Sequence, residues 1–447
     1  MTADVGNAKF FVTDAGREIG TYDACDGTFV FCREGISEVD YRDYVCELIR
    51  EGYSLCDEYE LGKNFYSMLS GADATAFISY LGEVGELRAY AEPKGFSATP
   101  PRKNGEAGDG DVTLLQLEVD SEGSRQNGGM TYILKLSDGR FILIDGGYYS
   151  DAEADRIYGV LRENTQVGKK PHIAAWFMTH MHGDHYGGMI RFCEKYAGEC
   201  LLDGFYFSGF RVGGTSCWLG MVDKFCVLRD MWKKGERPAI YGKLHTGMSF
   251  DFSGVVIRIM CTQEDVYPKR FIDANDTSTV FRIDARGQRI MILGDCRDHE
   301  CDAMLRSFGK SGELRCDMVQ FSHHGYEGAT KQLYEAVGAQ TVLYPLNIVG
   351  WQENYKTVPQ NVFAIWFPKT DRPAKDYIAE NMANGNIKKV IVAGAGPSAL
   401  TLPYIPEGEV ILDYEAFFEE HKHKVPTGYE LKGYRYADGD ETKIEKI

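Results

Sequence analysis

Apolar residues recur along this chain at two different spacings, and the change from one to the other divides it. In residues 37–52, Tyr41, Tyr44, Val45, Leu48 and Ile49 return at helical spacing, which predicts an amphipathic helix. Around it, short β-rich runs predict strands at 9–13, 28–32, 64–69, 74–81 and 86–91. Residues 92–111, rich in proline, glycine and charge, read as a linker. Residues 1–108 are therefore expected to form a small α+β domain. Its aromatic side chains read as core, and it carries no recognisable catalytic constellation.

From Val112 the strands lengthen and alternate with helical stretches. One strand is predicted at 113–119, and a hairpin joins 129–136 to 140–144 across Ser137-Asp138-Gly139. Further strands are expected at 202–207, 255–260, 288–293, 317–321 and 341–345, with helices at 151–164, 188–197, 216–233, 298–309 and 376–384. Residues 389–402, broken at 394–397, read as a closing hairpin. The main domain then spans 109–406, and 407–447 form a charged extension. In that extension His421 and His423 alternate with lysines and read as solvated.

The candidate chemistry concentrates where the apolar run of residues 173–178 ends. His180, His182, Asp184 and His185 follow within six residues. Positions two apart on a strand face the same side, so His180 and His182 can project together. Gly183 permits a sharp turn that returns Asp184 and His185 to the same space. Two adjacent ligand pairs result. Imidazoles and a carboxylate without a thiolate suit zinc, with manganese or iron as alternatives.

Three other apolar strands also end in polar residues: FILI in Asp145, RIMIL in Gly294-Asp295, and the strand at 317–321 in Ser322-His323-His324-Gly325. In a sheet that takes its ligands from strand ends, these residues converge on one rim. Asn275, Thr277 and Ser278 could face the same rim or form a capped turn. His245 lies mid-domain but precedes a tight turn, so it reads as a structural histidine. Arg211, in a glycine-rich loop, could meet an anion, although a solvated arginine is the simpler reading.

The stretch THMHGDHYGG resembles the HxHxDH signature of the metallo-β-lactamase superfamily. The resemblance implies an α/β fold, a four-layer αββα sandwich, with the small N-terminal domain added to it. The order NDTSTV, LGD and HHG is similar to a subgroup that includes the hydrolase domains of DNA-uptake (competence) proteins and phosphorylcholine esterases. By that resemblance Asp145 orients a ligand histidine, Asp295 bridges two divalent metal ions, and the HHG pair lies at the site. The expected ligand set is His180, His182, Asp184, His185, Asp295 and one of the HHG pair, taken as His323, while the other, His324, could protonate the leaving group or hydrogen-bond to the phosphoryl oxygen. Asp184, Asp145 and His324 are the expected catalytic residues. The subgroup's usual HHGS is HHGY here, so Tyr326 departs from the pattern. The resemblance covers residues 112–403.

Composition narrows the function. The chain has 447 residues, is 44% hydrophobic and carries a net charge of −17, which disfavours a broad basic face for extended nucleic acid. No apolar stretch reaches the length of a membrane span, and the first residues lack a basic region followed by an apolar core. A cytoplasmic protein without membrane attachment is the expectation. The 12 cysteines form no CxxC pair and read as reduced, mostly buried thiols. Cys296, beside Asp295, reads as a small packed residue. A two-metal hydrolase of a small-molecule phosphoester or phosphodiester is the leading expectation. A metal-dependent nuclease, a lactone or thioester hydrolase, and a non-catalytic metal-binding interaction protein are the alternatives.

Overall fold

Apolar runs such as Phe141–Ile144 contain no polar position because both of their faces are covered. Ile142 and Ile144 belong to one core cluster, Phe141 and Leu143 to another, as expected of a strand between two layers. The computed structural model describes residues 2–5, 8–23, 28–94, 98–119, 129–209, 221–266, 274–325, 328–350, 380–407, 414–424, 434–437 and 440–446.

The N-terminal unit begins with a two-stranded ribbon, β1 (Thr2–Val5) and β2 (Ala8–Phe11). A six-stranded antiparallel sheet follows, from β3 (Arg17–Asp23), β4 (Phe29–Glu34), β5 (Ser54–Leu61), β6 (Asn64–Ser70), β7 (Ala74–Leu81) and β8 (Glu86–Pro93), in the order β3-β4-β8-β7-β6-β5. Helix α1 (Glu38–Arg50) starts in a capping box between Ser37 and Asp40. It lays Tyr41, Tyr44 and Leu48 on the sheet face that carries Leu69, Ala76, Ile78, Leu87 and Ala89. The spacing of apolar residues does not predict β5. This edge strand leaves Ser54, Leu55, Cys56, Glu58 and Glu60 exposed, so it has little apolar alternation to detect.

The opposite face of this sheet is not solvated. Tyr59, Tyr66, Met68, Phe77 and Tyr90 join the same core cluster as the main domain. Polar contacts reinforce the seam. Asn64 Nδ2 donates to Ser307 O at 2.9 Å, Arg88 donates to Glu264 O at 2.8 Å, and Arg306 pairs with Glu86 at 2.8 Å.

The main domain stacks two sheets. The first comprises β9 (Val112–Gln116), β10 (Tyr132–Lys135), β11 (Phe141–Ile144), β12 (His172–Phe177), β13 (Leu201–Leu202), β14 (Gly204–Tyr206) and β15 (Ala239–Tyr241). The expected hairpin is β10 with β11, in the register Tyr132↔Ile144. Helices α2 (Asp151–Glu163), α3 (Gly183–Tyr196) and α4 (Met221–Arg229) lie on its outer side. The second sheet has the order β16 (Ser249–Phe252), β17 (Val255–Cys261), β18 (Val280–Ala285), β19 (Gln288–Ile292), β20 (Met318–Gln320), β21 (Thr341–Tyr344) and β22 (Lys389–Val392). The short helix α5 (Gln263–Val266), α6 (Asp298–Phe308) and α7 (Lys331–Val337) belong to its outer layer. Helices, two sheets and helices again make the αββα sandwich, with the N-terminal sheet packed onto it.

Residues 389–402 do not form the expected hairpin. β22 pairs in parallel with β21, whereas β23 (Ser398–Leu402) pairs antiparallel with β9 in the other sheet. The intervening turn crosses between the sheets. Gly394 sits against Asn347 and Ile348 so closely that a Cβ would lie 2.7 Å from Ile348 N. Among residues 376–384, only 380–384 are described, and 380–383 are helical. Among the described residues no helix is long and apolar enough to cross a membrane.

Candidate metal centre

The site lies where β11, β12, β19 and β20 end. Asp145, the first residue after β11, has φ 55°, a left-handed conformation that aspartate tolerates better than most residues. This turns its carboxylate under the end of β12. Oδ1 accepts the Thr179 N–H at 2.8 Å, and Oδ2 accepts the Thr179 hydroxyl at 2.7 Å and lies 2.8 Å from His185 Nδ1. Trp176 Nε1 donates to its carbonyl at 2.9 Å. The carboxylate therefore holds a proton on His185 Nδ1 and points Nε2 into the site.

Helix α3 begins at Gly183 and not near Gly188. Asp184 and His185 thus project from its first turn. Gly183 has no positive φ and no atom within 4 Å of where a Cβ would lie, so the turn does not draw on glycine's conformational freedom. Gly188 is the demanding position, because a Cβ there would stand 1.8 Å from Gly146 O. The glycine pair at 187 and 188 lets α3 approach the turn after β11.

Six side chains meet in two groups of potential donors: His180, His182 and Asp295, and Asp184, His185 and His324. Asp295 links them. Its Oδ2 lies 3.7 Å from His180 Nε2 and 3.8 Å from His324 Nε2, and its Oδ1 lies 3.2 Å from His185 Nε2. His324 Nε2 is 3.4 Å from Asp184 Oδ2. Ligands about 2.1 Å from a tetrahedral cation stand about 3.4 Å from one another, which is the spacing found here. His180 Nε2, His185 Nε2, His324 Nε2 and Asp295 Oδ1 are buried yet have no hydrogen-bond partner among the described residues. Buried polar atoms are rarely left so, and four of them gathered across the two donor groups fit divalent cations.

The charge balance points the same way. Burial works against the charged forms of all these groups, but for His185 it is outweighed by Asp295 and Asp145, which hold the imidazolium well above the ordinary histidine range. Burial is likewise outweighed at His324, raised by Asp295 and Asp184. Asp295 is held well below the carboxylate range by His185, His324 and His180, against its burial. Asp184 is lowered by the adjacent His324 and the charge of His185, again against burial. His180 falls well below the histidine range because of burial and the neighbouring His185. Carboxylates this acidic, facing imidazoles that hold protons in their place, form a cluster ready to exchange those protons for cations.

The structure places the two histidines of the HHG pair differently. Both residues have left-handed backbones, at φ 49° and 54°, which send the rings in different directions. His324 Nδ1 hydrogen-bonds Pro345 O at 2.8 Å, which points Nε2 into the second donor group. His323 keeps its Nε2 3.9 Å from Asp295 Oδ2 and 3.3 Å from Asn275 Nδ2, on the more open side. Thus His324, not His323, stands among the donors.

Other expected residues separate clearly. Ser278 accepts the Asp295 N–H at 3.1 Å and Thr277 donates to Ala274 O, so both are committed to backbone, and Asn275 alone of the three meets the site. His245 pairs with Glu264 at 2.7 Å and stacks on Phe77 at 4.4 Å, in the seam with the N-terminal sheet. Cys296 is fully buried, and burial pushes its thiol well up, which makes it inert. His421 and His423 bond their own helix carbonyls. Arg211 and Tyr326 lie outside the described residues. Thr179, which the pattern of metal-ligating residue types does not mark, also lies 3.1 Å from His180 Nδ1. A hydroxyl immediately before the paired histidines was the available signal.

The family model described as metallo-beta-lactamase superfamily matches residues 125–197, which contain Asp145 and the His180–His185 stretch. Among solved structures, a metallo-beta-lactamase from Cronobacter sakazakii aligns at 13% identity and TM-score 0.27, covering 46% of this chain and 75% of its own. Unliganded yeast PDE1 aligns at 12% identity and TM-score 0.38, covering 65% of this chain and 100% of its own. A long form RNase Z from yeast aligns at 11% identity and TM-score 0.35, covering 69% and 52%. No curated protein matches the chain. The match speaks for the superfamily and not for its competence subgroup.

Proposed function

With residues 125–197 matching the metallo-beta-lactamase superfamily model, we propose that the protein is a binuclear metal-dependent hydrolase acting on a phosphoester or phosphodiester. The observation that carries this reading is the pair of donor groups sharing Asp295. His180, His182 and Asp295 would hold one cation, and Asp184, His185 and His324 the other. Donors of nitrogen and oxygen suit zinc first, with manganese or iron as alternatives. Divalent cations bound here supply an acidified water at neutral pH and offset negative charge on a substrate.

The remaining work falls to the chain's own side chains. Asp145 and the Pro345 carbonyl keep His185 and His324 in the tautomer with a free Nε2. His323, held by Asn275 on the open side, offers a proton or hydrogen bond to a substrate oxygen. Burial of the donor cluster excludes bulk water and strengthens every charge interaction within it. Phosphoryl groups carry the charge that such a site neutralises, and a net charge of −17 favours a small substrate over extended nucleic acid.

The test is turnover of an aryl phosphodiester by metal-stripped protein reloaded with zinc or manganese, beside Asp184→Ala, a lactone and a β-lactam. Metal-dependent phosphodiester cleavage that disappears in the variant is expected. Turnover of the carbonyl substrates alone would overturn the phosphoester assignment.

A further inference from the structure

We infer that Gln320 is a positioning residue for the metal centre, its side-chain amide replacing the missing rungs between two strand ends and so setting Asp295 against His324. The inference rests on reading the six donors as metal ligands.

β19 and β20 run parallel, and their paired register ends at Met291↔Val319. Beyond that point the chains must part, one turning through Leu293-Gly294-Asp295 and the other through Phe321 to His324. Parting leaves backbone groups of a fully buried region without a ladder, which is costly unless something else bonds them. Gln320, itself 0% exposed, does so. Its Oε1 accepts the Leu293 N–H at 2.7 Å, and its Nε2 donates to Gly294 O at 3.0 Å and Phe321 O at 2.5 Å. A primary amide carries the same donor and acceptor as a peptide group, with one further N–H. Here both N–H bonds and the carbonyl are used.

The two turns are then joined directly, because Gly294 O also accepts the His323 N–H at 3.1 Å and Ser322 Oγ donates to Cys296 O at 2.6 Å. Gly294 has φ 57° and packs where a Cβ would meet Thr179 Cβ at 2.8 Å, so this turn also abuts the residue that holds Asp145. One side chain therefore ties the strand end that supplies Asp295 to the strand end that supplies His324. A single polar residue in the otherwise apolar run MVQF is its trace in the sequence.

Gln320→Met keeps length and volume and removes all three bonds. In the full chain, zinc affinity is measured by competition with a chromophoric chelator. The visible spectrum of cobalt(II)-loaded protein reports ligand geometry, and melting of the metal-free protein reports the fold. Phe308→Leu, buried in α6, serves as a variant destabilised elsewhere. Q320M is expected to fold, to lose about 10- to 100-fold in zinc affinity and to shift the cobalt bands, while F308L changes neither. If Q320M does not fold, Gln320→Asn, with its amide drawn back by one methylene, carries the same expectation. A folded variant with zinc affinity within twofold of wild type and an unchanged cobalt spectrum overturns the inference, as does an equal loss in F308L. Wild-type protein that takes up no metal overturns the ligand assignment along with it, whereas metal uptake unaffected by Q320M removes only the role of Gln320.

Discussion

Asp145→Asn isolates how the centre selects a histidine tautomer. Asparagine accepts the left-handed backbone at φ 55° as readily as aspartate, so the turn after β11 survives. The amide must nevertheless place its NH2 somewhere. At the Oδ1 position it would oppose the Thr179 backbone N–H at 2.8 Å, a donor that cannot reverse. At the Oδ2 position it faces the Thr179 hydroxyl and His185 Nδ1, and both of these can reverse. The NH2 therefore takes the Oδ2 position, His185 Nδ1 becomes an acceptor, and the ring proton moves to Nε2, the nitrogen that should bind metal. Losing an outer-shell partner of this kind typically costs about 10- to 100-fold in metal affinity, or about 1.4–2.7 kcal/mol. The loss should fall on the group containing His185 and spare the one containing His180. Competition with a chelator should resolve one weakened and one unchanged zinc ion per chain, and nitrogen NMR of the histidine rings should show the inverted tautomer. Two zinc ions bound within threefold of wild type would refute the reasoning.

Two further outcomes follow from the same geometry. Gly183→Ala should leave the melting temperature nearly unchanged, whereas Gly188→Ala, whose Cβ would stand 1.8 Å from Gly146 O, should cost about 3 kcal/mol or more or prevent folding; equal behaviour of the two would contradict the packing of α3. In metal-free protein the raised His185 and His324 contribute stability that is present below the ordinary histidine value and lost as pH climbs through their raised pKa values, while the lowered Asp184 and Asp295 contribute stability lost as pH falls through theirs. The metal-free melting temperature should accordingly decline above about pH 6.5, and zinc uptake at pH 7 should release about two protons, measurable by calorimetry in buffers of different ionisation heat; uptake without proton release would contradict the charge assignment.

The sequence alone determined the part of the site that is local in the chain. From His180 to His185 the donors lie in the connection that follows β12, which ends at Phe177, and in the first turn of α3, so their proximity is written in adjacent residues. Asp145, Asp295 and the HHG pair were legible as polar ends of apolar strands. Which histidine of the pair joins the donors was not, because the carbonyl of Pro345, just beyond the end of β21, decides it by accepting a hydrogen bond from His324 Nδ1. The role of Gln320 depends in the same way on where two parallel strands part. Residues 389–402 resembled a hairpin because each half is apolar, and only the stacking of two sheets sent the halves to different edges. The N-terminal sheet showed alternation compatible with a separate domain, but what its aromatic face packs against is a property of the assembled core. Local spacing sets which side chains can point together, whereas the meeting of distant strand ends is settled by packing among residues far apart in the chain.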